Sequence, residues 1–352
     1  MTEPRNLLVT GGAGFIGSAY VRAVLGRRDG TRITVLDKLT YAGNEANLAP
    51  VLDDPEQAGR FRFVRGDIAE RDAVEPLVAS VDAILNFAAE THVDRSILDP
   101  EAFLRTNVIG VHVLLEVIRG LGRPVRFIQV STDEVYGSVE EGASHEDDAL
   151  RPRSPYAASK AAGELLARSY HVTFGLDVLV TRGSNTYGPF HHPEKLIPLF
   201  ITNALDDQPL PLYGDGLQRR DWLHVTDHAG AIDFVLAYGA AGEVYNVAGG
   251  TEMANRDTVA LLLDELGKPW SLVRHVEDRL GHDRRYAMDG SRLAALGWMP
   301  RVAFDEGLRE TVAWYRDHEA WWRAARGDDW DAYYERQYAK RLAPDRAAAG
   351  ED

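Results

Sequence analysis

The sequence predicts an α/β protein built on a doubly wound parallel sheet, with a smaller, interleaved C-terminal domain. Three observations carry that prediction. A glycine-rich turn joins an apolar strand to a helix near the N-terminus. Apolar strands and helical stretches then alternate through the first half of the chain, and beyond residue 185 that alternation breaks before one more strand-like run returns.

Residues 6–10, Asn-Leu-Leu-Val-Thr, are a short apolar run suited to a buried strand. It passes directly into Gly11-Gly12-Ala13-Gly14-Phe15-Ile16-Gly17, which opens a helix ending near residue 27. Gly12, Gly14 and Gly17 fit G-x-G-x-x-G in strand-turn-helix context, the Rossmann fingerprint. The glycines permit the tight turn and let the backbone approach a pyrophosphate, whose charge meets the positive end of the helix. A second strand over 32–36 ends in Asp37, and 37 − 17 = 20 is the spacing at which an acid meets an adenosine ribose 2′-hydroxyl. Because an acid there repels a 2′-phosphate, the expected cofactor is NAD and not NADP. The polar segment from Lys38 through Leu39 and Thr40 begins where that ribose would lie.

A third strand, 61–65, leads into Gly66-Asp67-Ile68, suited to the adenine edge. The fourth, 81–87, ends in Phe87-Ala88-Ala89-Glu90-Thr91-His92, whose small residues leave room for a ligand at a strand's carboxyl end. A helix over 101–119 and a strand over 125–130 follow. The chain then reaches Ser131-Thr132-Asp133-Glu134. Beyond a short acidic loop, Ser154 is a good N-cap and Pro155 a good first helical residue, so a helix runs from Tyr156 to about residue 170.

Tyr156 and Lys160 share a face of that helix at i,i+4. An ammonium beside a phenol favours phenolate, moving a Tyr from its reference value of about 10 toward a usable base. Such pairs occur on any helix surface, and it is the dinucleotide turn upstream that gives this one meaning. Asp133 and Glu134 can divide acid and base roles if their surroundings push their pKa values apart; the plain alternative is a solvated loop or helix cap. His92 and His191-His192 more simply hydrogen-bond locally, and no metal-ligand spacing surrounds them, so no metal is expected.

After a strand over 177–181 come Arg182-Gly183-Ser184-Asn185-Thr186, a helix opening at 193–198, an extended piece at 210–213, a helix over 227–238 and a strand over 243–247. The expected division is a dinucleotide-binding domain over 1–185 with a returning segment at about 227–248, and a substrate-binding domain from 186–226 and 249–325. A C-terminal extension, 326–352, carries a helix around 328–335 and a frayed end. Lys195, Arg220 and Arg279 stand singly in the second domain; each alone reads as a solvated charge, and together they suit a pyrophosphate.

The 352 residues suffice for one large or two modest cores, and the net charge of −15 opposes nucleic acids and acidic membranes as general partners. There is no cysteine, hence no disulfide or thiolate metal site, and no run approaches a membrane span or a signal peptide's apolar core, which makes the cytoplasm the expected location.

Gly11 to Gly17, Ser131 to Gly137 and the pair Tyr156/Lys160 together resemble the extended short-chain dehydrogenase/reductases that act on nucleotide sugars. Thr132-Asp133-Glu134, Ala88-Ala89-Glu90-Thr91-His92-Val93-Asp94-Arg95-Ser96-Ile97 and His192-Pro193-Glu194-Lys195-Leu196-Ile197-Pro198 resemble one branch, the dTDP-glucose 4,6-dehydratase family; sugar epimerases of the fold usually lack the Asp-Glu pair. The resemblance spans about residues 6–322. It implies that Thr132 binds the sugar, that Tyr156, with Lys160, is a base, and that Asp133 and Glu134 are acid and base of an elimination. It implies NAD contacts at Gly11, Gly12, Gly14, Phe15, Ile16, Gly17, Asp37, Lys38, Leu39, Thr40, Asp67, Ile68, Phe87, Ala88, Ala89, Thr106, Tyr156, Lys160 and Thr186. A nucleotide sugar, dTDP-glucose, would meet Thr91, Thr132, Asn185, Lys195, Leu196, Pro211, Tyr213, Arg220, Asn255, Arg279 and His282. Two positions depart from the family pattern: Thr186 stands where a second Asn is usual, and Leu280 where a Pro is usual.

The resemblance also implies a homodimer formed by the helices over 101–119 and 154–174, whose apolar residues include Val108, Val111, Leu115, Leu165 and Leu166; the plain alternative is that these cover the sheet. Rival readings are a nucleotide-sugar 4-epimerase or decarboxylase, which would not need the acid pair, and a dehydratase using UDP-glucose. A non-catalytic dinucleotide sensor would need the glycines without Tyr156 and Lys160.

Overall fold

The computed structural model describes residues 5–327 and 330–342. Strands β1 (Asn6–Thr10), β2 (Arg32–Asp37), β3 (Phe61–Arg65), β4 (Ala83–Asn86), β5 (Arg126–Thr132) and β6 (Val178–Gly183) lie in one sheet. The chain then leaves it through β7 (Asn185–Tyr187), β8 (Leu210–Tyr213) and β9 (Arg219–His224), returns as β10 (Val244–Val247), and leaves again through β11 (Glu252–Ala254) and β12 (Val273–Val276). The seven-stranded order is β10-β6-β5-β4-β1-β2-β3, with every neighbouring pair parallel. The strand order reverses at β1, so the crevice beside its carboxyl end is where this architecture takes ligands.

Helices cover both sheet faces, which explains why the strands read as unbroken apolar runs. Alternate side chains serve opposite faces: Val9, Leu85 and Ile128 pack into one core, and their neighbours Leu8, Ile84 and Phe127 into the other. At the N-terminal turn Gly11 has φ +70, and a Cβ there would stand 2.5 Å from the Ala88 nitrogen, so only glycine lets β1 and β4 close together.

A separate core lies beyond the sheet. The helix Leu196–Leu205 is buried almost all round, and Leu199 and Phe200 pack with Leu212, Trp222, Leu262, Phe304 and Trp322. β9 lies between β7 and β11, while β12 pairs with β8. The return of the chain to the first domain at β10 is expected from the sequence; its place is alongside β6, with Val244 against Val180.

Several expectations shift. The helix expected to open at 193 begins at Leu196, and the one expected over 101–119 is three joined pieces: Pro100–Leu104, a π-helical Arg105–Gly110 and Val111–Gly120. Val111 and Leu115 are fully buried in the sheet core, because that face of the helix is needed there, so they are not free to pair with a second copy. The tail forms a helix, Trp330–Leu342; the frayed end expected after it lies outside the described residues. Among the described residues no helix is long and apolar enough to cross a membrane.

Candidate active site

Two adjoining cavities open at the carboxyl ends of the parallel strands. The first begins at the glycine turn, where Gly14 starts the helix Phe15–Gly26 with no side chain capping its N–H groups. Asp37, at the end of β2, accepts hydrogen bonds from the Ala13 N–H (2.9 Å) and the Leu39 N–H (2.8 Å), which fixes the acid against the turn while burial raises its pKa. Gly11, Gly14, Phe15, Ile16, Gly17, Lys38 and Thr40 line this end, and Asp67 and Ile68 stand across from them. Lys38 Nζ lies 3.1 Å from Asp67. Phe87, Ala88, Ala89, Thr106 and Thr186 complete the wall. Gly12 and Leu39 are not part of it: a Cβ on Gly12 would meet the Val35 side chain, so that glycine serves packing behind the turn.

Thr106 Oγ1, Ser131 Oγ and His228 Nε2 are buried without a hydrogen-bond partner, and all three residues line this cavity. Buried polar atoms are nearly always satisfied. With the uncapped helix start and Asp37, these orphans fit a dinucleotide, whose phosphates, ribose and carboxamide offer the missing partners.

The far end of the cavity gathers hydroxyl, carboxyl, phenol and amine side chains. β5 delivers Ser131 and Thr132, and a short 3-10 turn, Asp133–Tyr136, follows. Thr132 Oγ1 accepts from the Glu134 N–H (3.3 Å) and donates to Asp133 Oδ1 (3.1 Å), so one hydroxyl caps the turn and holds the acid. Asp133 is 3% exposed and its Oδ2 has no partner. Burial, then the neighbouring charge of Glu134, pushes its carboxyl well above the ordinary range. Burial also raises Glu134, but Arg279, Lys195 and Arg220 oppose it. The two carboxylates thus occupy unequal surroundings, which is the condition for dividing acid and base roles.

Ser154 Oγ accepts from the Ala157 N–H (3.1 Å) and starts the helix Pro155–Phe174, which brings Tyr156 and Lys160 to the same cavity. The π-helical turn before it puts Asn107 in a bracing role: its Nδ2 donates to Ser159 Oγ (2.9 Å) and its Oδ1 accepts from the Glu90 N–H (2.9 Å). One expectation is corrected here. Lys160 Nζ donates to the Val130 carbonyl (2.6 Å), and burial lowers its pKa to about 8. The Tyr156 phenol is not lowered; burial, then the charges of Glu134 and Asp133, raise it. Burial is the larger cause, and the two acids add to it.

The second cavity is lined by Asn185, Lys195, Leu196, Pro211, Tyr213, Arg220, Asn255, Arg279 and His282, nine residues from six separate stretches of sequence. Glu134, Asn185, Thr186 and Lys195 line both cavities, and Lys195 Nζ reaches Thr91 Oγ1 (3.4 Å) on the first. Arg220 lies 4.3 Å over the Tyr286 ring and donates to the Asp283 carbonyl (3.0 Å). Burial pulls Arg279 down, but Asp94 and Glu134 more than reverse this and keep it cationic. His282 is pushed to about 3, chiefly by burial, so it stays neutral among these cations.

Tyr286, Asp94, Glu194 and His228 also line the site and were missed. Against burial, which would raise it, His92 and His192 help hold Glu194 down at about 2. Thr186, where Asn is usual, has its Oγ1 2.7 Å from His228 Nδ1. Leu280 is 79% exposed, so the other departure falls on the surface.

This sheet, its glycine turn and a Tyr-Lys helix at the mouth of β5 define an extended short-chain dehydrogenase/reductase fold with an added lobe. More narrowly, the chain belongs to the GDP-mannose 4,6-dehydratase family, whose model matches residues 8–311. It is 55% identical to a dTDP-glucose 4,6-dehydratase of Streptomyces niveus over 92% of this chain and 96% of that one. It superposes on a dTDP-glucose 4,6-dehydratase of Streptomyces venezuelae solved with NAD bound, with a TM-score of 0.87, 53% identity, and coverage of 91% and 99%. A UDP-glucose 4-epimerase of Thermus thermophilus solved with NAD is similar at 33% identity and a TM-score of 0.81, with coverage of 89% and 99%.

Proposed function

We propose that this chain converts dTDP-glucose to dTDP-4-keto-6-deoxyglucose, using NAD that each cycle regenerates. The carrying observation is the pair of buried Asp133 and half-buried Glu134, unequally placed beside Tyr156 where the two cavities meet. When bound along the glycine turn and Asp37, NAD supplies an acceptor for the hydride from sugar C4 and a donor that returns it to C6. Tyr156 Oη takes the proton of the C4 hydroxyl while Ser131 or Thr132 holds the oxygen. The resulting ketone acidifies the C5 hydrogen, which Glu134 removes as a proton and gives back to C5 when the hydride reaches C6. Asp133 gives its proton to the C6 hydroxyl, which departs as water. A protonated Asp133 serves twice, because it also removes one of the two charges that oppose a Tyr156 phenolate. Lys195, Arg220 and Arg279 hold the diphosphate.

Identity above 50% to dehydratases, against 33% to the epimerase, supports this over the epimerase and decarboxylase readings. Separate incubations with dTDP-, UDP- and GDP-glucose, with products identified by mass, test it. Loss of one water from dTDP-glucose is the expected result; an isomer of unchanged mass would overturn the reading.

The same reading includes the division into a dinucleotide domain, 1–185 with 227–248, and a sugar domain, 186–226 with 249–325; the separate core around Leu199 and Trp222 supports it. It also includes a homodimer. Leu104, Ile109 and Leu165 are each about half exposed on the helices expected to pair, and Val172 is 83% exposed. Light scattering at micromolar concentration should give twice the chain mass, and a monomer mass would refute the dimer.

A further inference from the structure

The helix Trp330–Leu342 lies beyond residue 311, where the family match ends, and none of the expected site residues is on it. Trp330, Tyr334, Gln337, Tyr338 and Arg341 recur at the spacing of one helical face, and the structure turns that face inward. The Trp330 ring meets His192, with centroids 6.3 Å apart, and the Tyr334 hydroxyl accepts from Asn203 Nδ2 (3.1 Å) on the helix Leu196–Leu205. Further along, Gln337 Nε2 (2.9 Å) and Arg341 Nη1 (2.8 Å) both donate to the Tyr213 phenol oxygen. The Arg341 guanidinium also lies 5.1 Å over the Tyr213 ring. Tyr338, 4% exposed, lines the second cavity beside Tyr213, the two rings 6.3 Å apart and tilted by 34°.

The cavity is therefore polarised. Arg279, Lys195 and Arg220 act on Glu134 and so face the reaction. Tyr213 and Tyr338 form an aromatic part whose geometry is set by the C-terminal helix. A nucleoside diphosphate has the same polarity, anionic at one end and flat and aromatic at the other, and a base stacks on tyrosine rings.

We propose that the helix Trp330–Leu342 is the base-binding wall of the nucleotide site: Gln337 and Arg341 are positioning residues that fix Tyr213, and Tyr338 adds a second ring. This rests on the nucleotide-sugar reading above. The test is calorimetric titration of the full-length holoenzyme with dTDP, alongside pyrophosphate as a probe of the cationic end alone. Tyr338→Ala and Arg341→Met should each weaken dTDP about tenfold, equivalent to about 1.4 kcal/mol. Pyrophosphate affinity should stay unchanged, and the sugar substrate's KM should rise with kcat held within about twofold, as for lost ground-state binding. Arg341→Met removes only one of two donors to Tyr213, so it keeps the test open should Tyr338→Ala fail to fold. Failure of the unmutated enzyme to bind dTDP would sink the nucleotide reading itself. Normal binding there with unchanged dTDP affinity in the variants, or equal loss of dTDP and pyrophosphate, would overturn the base-wall proposal alone.

Discussion

Asp133→Asn separates oxidation from elimination. The substitution keeps shape, and it keeps the Oδ1 that accepts from Thr132 Oγ1 at 3.1 Å, so the turn cap and the position of Glu134 survive. What goes is the proton that burial and Glu134 hold on this carboxyl. Asparagine cannot protonate a leaving hydroxyl, so net turnover should fall by the ~10²–10⁴ of a lost general acid, or about 3–5 kcal/mol on the barrier. Asparagine, like protonated Asp133, puts no charge beside Tyr156, so the first step is spared. A single-turnover trace of reduced-nicotinamide absorbance should therefore rise at a near-normal rate after dTDP-glucose is added, then persist, with a 4-keto-glucose nucleotide found on quenching. Formation of dehydrated product at the unmutated rate would refute the acid role, and absence of any absorbance rise would show that Asp133 acts before elimination.

Tyr156→Phe should give the opposite trace, with no absorbance rise at any time, because it removes the group that the proposed mechanism uses to take the C4 hydroxyl proton. Arg182→Met should cost about 3–5 kcal/mol in urea unfolding, since it strands the fully buried Glu164 that Arg182 Nη2 meets at 2.5 Å; the double variant Arg182→Met/Glu164→Leu should regain most of that. His228 is pushed by burial from 6.5 to about 4, so the unfolded chain gains its proton before the folded one does. Its contribution is complete above pH 6.5 and is lost as pH falls toward 4, by about 3 kcal/mol. His228→Asn should flatten that part of the stability-pH curve, and an unchanged slope would refute it.

Features written in short stretches of sequence were the legible ones. The glycine turn and Asp37 could be read because a phosphate-binding turn and its acid lie within 20 residues, and Ser154-Pro155 because a helix start is a local event. β1 to β6 could be read because both faces of the sheet are covered, leaving continuous apolar runs. The three-residue strands β7 and β11 are too short to show a period. Lys195, Arg220 and Arg279 each looked solvated until folding brought three distant stretches together. Lys160 misled because its sequence position gives its face and not its partner; the Val130 carbonyl, supplied by β5, decides where the amine points.

The placement of β10 has a consequence for biosynthesis. β6 ends at Gly183 and β10 starts at Val244, 244 − 183 = 61 residues later. During translation the first six strands can assemble while β6 still shows a bare edge, its N–H and C=O groups open to any neighbouring nascent chain. Only when residue 247 has left the ribosome can the chain cover that edge itself. A fragment ending anywhere between 184 and 243 is therefore an aggregation hazard, whereas a split after 247 leaves a sheet with all seven strands.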